Sequence, residues 1–157
     1  MTIHAWRIVK ARHAAAAFTG EGARRFGARW NSPGMAAVYL SGSAALAMLE
    51  MLVHLDADQI LRRYVLFDVT FDESLVTTLD SPRLPRSWQK SPPPPAIQQI
   101  GGLWIERARS AVLRVPSAIV PAEWNYLLNP AHPDFRRIRI GPKQPIQFDP
   151  RLLKPGH

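Results

Sequence analysis

The sequence has no cysteine. That absence removes disulfide frameworks, thiolate metal sites and thiol nucleophiles together. It also lacks any run close to the roughly 18 apolar residues that a membrane-spanning helix requires. The opening Met1-Thr2-Ile3-His4-Ala5-Trp6-Arg7 has no apolar stretch after a basic start, as a secretion signal would, and a cytoplasmic location is expected. Internal repeats and Gly/Ser linkers are missing too, so residues 1–157 are expected to form a single domain. Acidic residues are scarce: 12 Asp and Glu stand against 20 Lys and Arg, a net charge of +8. The excess lies at the ends, with six basic groups against one acid in residues 1–30, six against two in 131–157, and eight against nine between. Such a field attracts polyanions, nucleotide ligands or acidic partners without choosing among them.

Proline is abundant instead. Fifteen prolines, about twice the average share, divide the chain into short elements, because each lacks an amide donor and fixes φ. A hydrophobic fraction of 46 % with 20 % charged residues is that of a folded chain, and the pattern predicts an α+β domain. Strands are predicted over His4–Val9, Ala36–Leu40, Arg63–Phe71, Ala111–Val115 and Arg137–Ile140; in the third, Val65, Phe67, Val69 and Phe71 alternate with Tyr64, Leu66, Asp68 and Thr70. Ser43 can cap a helix from Ala44 to about Leu55, and a second helix runs from Ala96 to about Arg107 despite Gly101-Gly102. Pro92–Pro95 reads as a stiff surface loop.

On the first helix, Glu50 falls about 40° from Leu46, at the edge of the apolar stripe that Leu46, Leu49 and Val53 define. A carboxylate there reaches water or an arginine, or else it has a partner and a task, because desolvating it unpaired is costly. His54, four residues on, makes no recognised metal pattern with it. The segment Gly20–Gly34 is dense in glycine and arginine, and its amides and guanidinium forks suit an anion such as a pyrophosphate. Its glycines fit neither nucleotide-loop spacing, and Asn31-Ser32-Pro33-Gly34 is also a plain turn sequence. Trp30 reads as core, whereas Tyr39 is an aromatic able to stack on a planar ring. Ser117 sits in an apolar run, so a buried hydroxyl there needs a partner; with no G-x-S-x-G present, a binding or orienting role is expected. Asn129 lies in turn chemistry and is a candidate to support the site, while His132 is read as part of the turn.

Together these residues resemble the RES domain family, named for an Arg, a Glu and a Ser. The resemblance rests on Trp6-Arg7-Ile8, Phe18–Ala23 running to Gly27-Ala28-Arg29-Trp30-Asn31, Val38-Tyr39-Leu40, Ala45–Glu50, Leu84-Pro85 with Trp88, and Ile100-Gly101 with Trp104. It continues through Val115-Pro116-Ser117-Ala118, Asn125–Pro130 and Phe148–Leu152. The eponymous residues are then Arg29, Glu50 and Ser117. Where the family more often has Gly-Gly before its Arg, this chain has Gly27-Ala28.

The resemblance implies a mixed, mostly antiparallel sheet similar to the ADP-ribosyltransferase fold, in the toxin of a type II toxin–antitoxin module. The implied activity is cleavage of the nicotinamide N-glycosidic bond of NAD, with ADP-ribose passed to water, phosphate or a protein. Glu50 would stabilise the positive ribose. Arg29 and Arg7 would hold NAD, Tyr39 would wall in the nicotinamide, and Ser117 would bond the substrate or orient Glu50. NAD is then a substrate and not a recycled cofactor, and no metal is required. The implied partner is an Xre-like antitoxin with a toxin-binding C-terminal domain, forming a hetero-oligomer that touches DNA only through the antitoxin. Two rival readings stand beside this one: a ribonuclease-type toxin, for which the charge suits RNA and His4, His13, His54, His132 and His157 offer acid–base groups though scattered, and a non-enzymatic nucleic-acid-binding domain, which rests on charge alone.

Overall fold

A computed structural model describes residues 1–153. Its frame is the pairing of β1 (Thr2–Lys10) with β3 (Tyr64–Asp72), antiparallel in register from Thr2↔Asp72 to Lys10↔Tyr64. The period-two pattern of β3 explains its depth: Val65, Phe67, Val69 and Phe71 all enter one core with Ala5 and Val9. The remaining strands are β2 (Val38–Ser41), β4 (Val76–Thr78), β5 (Val112–Pro116), β6 (Trp124–Leu128), β7 (Arg139–Ile140) and β8 (Gln144–Ile146). They complete one sheet in the order β4-β5-β6-β2-β1-β3-β7, with β8 also on β3. Of its ladders, only β4 with β5 is parallel. The α+β class and the mostly antiparallel sheet are as the sequence indicates.

Both faces of the sheet are covered. One face buries the β3 set together with Val38, Leu40, Tyr126 and Leu128, under the turn Ala11–Ala16 and under Phe135. The other face carries two separate cores. Ile8, Tyr64 and Leu66 lie under α2 (Ala44–Leu52) through Ala47, Met48 and Met51. Leu113, Val115 and Leu127 lie under α4 (Pro95–Arg107) through Ile97, Ile100 and Trp104. Two shorter helices, α1 (Glu21–Phe26) and α3 (Ala57–Ile60), fill connections.

Several sequence expectations need correction. Arg137–Ile140 is mostly not a strand: Pro133–Arg137 is a 3-10 turn whose start is capped by His132 Nδ1, accepting from the Asp134 amide at 3.0 Å, and only Arg139–Ile140 pairs with β3. The Pro92–Pro95 loop ends one residue early, because Pro95 opens α4, where its fixed φ and missing amide cost nothing. The helix capped by Ser43 stops at Leu52 and not at Leu55. Strand β6 is absent from the sequence expectations, yet it pairs on both sides, with β2 and β5. No described helix is long and apolar enough to cross a membrane.

Candidate functional site

The gap between the two cores under α2 and α4 is where polar side chains gather. Ser43 Oγ accepts from the Leu46 amide at 3.0 Å and fixes the start of α2. With Leu46 and Ala47 buried against the sheet, Glu50, three and four residues on, turns to the flank of the helix that faces β5 and β6. There Ser117 Oγ donates to Glu50 Oε1 at 2.7 Å and Asn125 Nδ2 donates to the same oxygen at 2.6 Å. Ser117 is fully buried, and its oxygen also accepts from the amides of Ile119 and Val120, both at 3.1 Å. The serine is therefore fixed by its own turn before it grips the carboxylate. Glu50 Oε2 has no hydrogen-bond partner among the described residues and is not sealed from the surface. One oxygen is anchored twice and the other is left free.

Arg29 reaches the same region from the segment before β2. Its Nη1 donates to the main-chain oxygens of Trp88 and Lys90, each at 2.9 Å. Its remaining nitrogens have no partner among the described residues. Burial lowers its pKa, while the Glu50 carboxylate works in the opposite direction through space without an ion pair forming. Tyr39 lies on the same face as Leu127 and Asn125, since Tyr39 pairs with Leu127 and Ser41 with Asn125. Its hydroxyl donates to Asn31 Oδ1 at 2.6 Å and accepts from the Trp30 amide at 3.1 Å. Burial pushes that phenol far above its usual range. The hydroxyl is thus occupied and neutral, and what Tyr39 offers a ligand is its ring.

The Gly20–Gly34 segment is not the open anion cradle its composition suggests. Gly20 and Gly27, at φ 76° and 69°, flank α1 as its caps. Asn31, fully buried, bonds the oxygens of Ala23, Ser32 and Met35 at 3.0 to 3.1 Å and ties helix, turn and β2 approach together. Arg24 is spent on Glu21 and Arg25 lies over Phe26. Only Arg29 of the three arginines in this segment is delivered to the site. Its neighbour Trp30 is core, 2 % exposed, and Gly101 of α4 lies so close that an added Cβ would sit 1.8 Å from the Trp30 oxygen. The glycines that weaken α4 by propensity are what let the helix press on this segment.

Two further candidates lie elsewhere. Arg7 projects with Ala5 and Val9 onto the opposite face of the sheet. There Nε donates to the Ala17 oxygen at 2.7 Å and Nη1 to the Tyr39 oxygen at 2.9 Å. It spans a place where β1 and β2 part, the two strands being in register at Trp6↔Ser41 alone. Burial lowers its pKa to about 10, so it remains charged at neutral pH. Asn129 sits at the far end of β6 from Asn125. Both of its polar atoms are taken locally, by the Ile105 oxygen at 3.3 Å and the Ala131 amide at 3.1 Å. His54 is exposed, and His157 lies outside the described residues. No three His, Asp or Glu side chains converge among the described residues.

Sequence reasoning did not single out Asn125 or Asn31. The signal for Asn125 was available: it is one polar residue at the same strand parity as Leu127, in a segment otherwise apolar.

A family model described as the RES domain matches residues 4–149. The chain belongs to the RES domain family. Among curated RES relatives it is 42 % identical over 149 residues to a Yersinia enterocolitica protein named Toxin Res, covering 94 % of this chain and 97 % of that protein. It is 40 % identical over 159 residues to a Sphingobium protein named Prs ADP-ribosylating toxin, covering 98 % and 99 %. In a solved structure of the M. tuberculosis MbcT–MbcA toxin–antitoxin complex, one chain matches this RES domain with a TM-score of 0.74 at 22 % identity, over 98 % of this chain and 87 % of that one. At that identity the likeness is one of fold.

Proposed function

We propose that this RES domain is the toxin of a type II toxin–antitoxin pair and that it cleaves the bond between nicotinamide and ribose in NAD. The observation that carries the reading is Glu50, whose Oε1 is gripped by Ser117 and Asn125 while Oε2 stays free. The C1′–N bond of NAD breaks with its electron pair leaving on the nicotinamide nitrogen, so nicotinamide departs neutral and positive charge develops on the ribose ring. A carboxylate oxygen already fixed in a partly dry site stabilises that charge without reorganising at the moment of reaction. Ser117 and Asn125 position Glu50. The free nitrogens of Arg29 take the phosphates, as guanidinium forks do, and the ring of Tyr39 walls in the nicotinamide. Arg7 acts through the main chain, bracing the strand that carries Tyr39. The scheme consumes NAD as substrate and calls for no metal.

The names of the curated relatives support a toxin, and one of them supports ADP-ribosyl chemistry. Water as acceptor gives free ADP-ribose and a proton, phosphate gives ADP-ribose phosphate, and a protein nucleophile gives a modified target. Depletion of NAD or modification of an essential protein would arrest growth in the cytoplasm. The complex seen for the M. tuberculosis neighbour supports an antitoxin partner for this chain; an Xre-like protein engaging it by a C-terminal domain, and contacting DNA on its behalf, completes the reading.

The test is incubation of the chain with NAD, with and without phosphate, following nicotinamide and the fate of ADP-ribose by chromatography. Nicotinamide release that falls about a hundredfold or more in Glu50→Gln, with unfolding unchanged, is the expected outcome. A folded Glu50→Gln variant that releases nicotinamide at the parent rate overturns the reading.

A further inference from the structure

Gln89 lies in the proline-rich connection between β4 and α4. Its neighbours on either side, Trp88 and Lys90, give their main-chain oxygens to Arg29 Nη1, each at 2.9 Å. The Trp88 ring packs against Trp30, with centroids 6.3 Å apart, and joins the core under α4. Trp88-Gln89-Lys90 is therefore a short strap fixed to the segment that delivers Arg29. From its middle, Gln89 Nε2 donates to the Ala118 oxygen at 3.0 Å. Ala118 follows Ser117, which grips Glu50 Oε1. One tripeptide thus reaches both halves of the site.

The turn that Gln89 holds is otherwise closed on itself. Ser117 Oγ accepts from the Ile119 and Val120 amides, the Ser117 amide donates to the Glu123 oxygen at 3.0 Å, and the Glu123 amide to the Val120 oxygen at 2.9 Å. Among the described residues, the bond from Gln89 is the one hydrogen bond that joins residues 118–122 to any part of the chain outside this turn. Ile119 is exposed, whereas Val115 and Leu127 on the adjoining strands are fully buried. Ser117 stands at the root of the turn, so a small displacement of the turn reorients the carboxylate it grips, and catalytic groups tolerate little misplacement. We infer that Gln89 is a positioning residue for NAD cleavage: it holds the Ser117 turn against the strap that Arg29 anchors, and so keeps the carboxylate end of the site in place relative to the arginine end. The inference rests on the function proposed above. The bond is exposed and adds little to global stability; what it fixes is placement.

Because Gln89 is exposed, substitutions there leave the core intact. Gln89→Met keeps the length of the side chain and removes the donor, and Gln89→Lys keeps a donor of similar reach. Steady-state nicotinamide release and melting temperature are measured for the parent, for both variants, and for Gln89→Met in a Ser117→Ala background. Gln89→Met is expected to lower kcat about threefold to tenfold, with KM for NAD and melting temperature nearly unchanged. Gln89→Lys recovers most of kcat, and the Met substitution adds nothing once the Ser117 hydroxyl is gone. Parent kcat in Gln89→Met, or an equal loss in the Ser117→Ala background, overturns the inference. Amide hydrogen exchange reads the same tie without turnover. Ile119 and Val120 are expected to exchange faster in Gln89→Met while Tyr126 and Leu127 do not change; unaltered exchange at Ile119 and Val120 overturns the tie. Glu50→Gln in the same assay tests NAD cleavage by itself: a parent whose nicotinamide release does not depend on Glu50 fails that reading, and the exchange result still decides the role of Gln89.

Discussion

Two polar regions of this molecule differ in what they leave over. The Gly20–Gly34 segment is rich in glycine and arginine, and it spends most of its polar groups on itself: glycines cap α1, Asn31 gathers three carbonyls, Tyr39 closes on Asn31, and Arg24 is held by Glu21. The corner of Glu50, Ser117 and Asn125 has fewer polar groups, spread over sixty and more residues, yet it ends with a carboxylate oxygen that none of the described residues occupies. What marks a site is the polar group remaining after the fold has satisfied its own donors and acceptors. Between the two regions stands Arg29, whose anchoring belongs to the first and whose free nitrogens belong to the second.

The comparison can be broken most severely at Gly101. A methyl group there would collide with the Trp30 oxygen, so Gly101→Ala must push α4 off the segment. A loss of about 3 kcal/mol or more is expected, or no folded protein at all; urea unfolding of the purified variant measures it. Arg29→Ala sharpens the boundary between the regions. It removes the one arginine that the segment delivers to the site, and calorimetry should show NAD binding weakened about tenfold, with stability little changed because the side chain is only partly buried.

Tyr39→Phe has a smaller effect and a recognisable pH signature. The phenol is held above its ordinary value in the folded chain, so the folded state binds more protons than the unfolded state once pH passes about 10. The stability tied to it is complete below that pH and is lost as pH rises further. Arg7, held near 10 against its usual 12.5, changes stability in the opposite sense over the same range, because there the unfolded chain holds the extra proton. The difference between parent and Tyr39→Phe isolates the tyrosine. Near pH 7 the variant should be less stable by about 1 kcal/mol, for the lost bonds to Asn31 and Trp30, and that gap should narrow in unfolding experiments above pH 10.

How much of this was legible beforehand follows from where the determining forces lie. Strand β3 could be read because its alternation is a local consequence of burying one face. Ser43 as the cap of α2 was legible for the same local reason. The family resemblance carried Arg29, Glu50 and Ser117 as a set, and the fold brings those three to one region. Strand β6 escaped because it is only five residues long with the polar Asn125 within it, and its pairing partners β2 and β5 come from distant parts of the chain. Gly101-Gly102 read as a weakness in a helix, because the close approach of Trp30 that requires Gly101 is a tertiary fact. Arg7 could be placed on a strand but not on a face, since the face depends on register with β3. Asn31 looked like a turn residue and is one; that its amide is fully buried and joins three segments depends on the packing of all of them.

The pair of donors that share Glu50 Oε1 is the feature on which NAD cleavage by this site depends. Its most direct test is steady-state nicotinamide release by Ser117→Ala, Asn125→Ala and the double variant, with melting temperatures measured alongside. If both residues act by holding one oxygen, each single variant lowers kcat by about tenfold or more with KM for NAD nearly unchanged, and the double variant loses less than the product of the two. A folded double variant that turns over NAD at the parent kcat would contradict it.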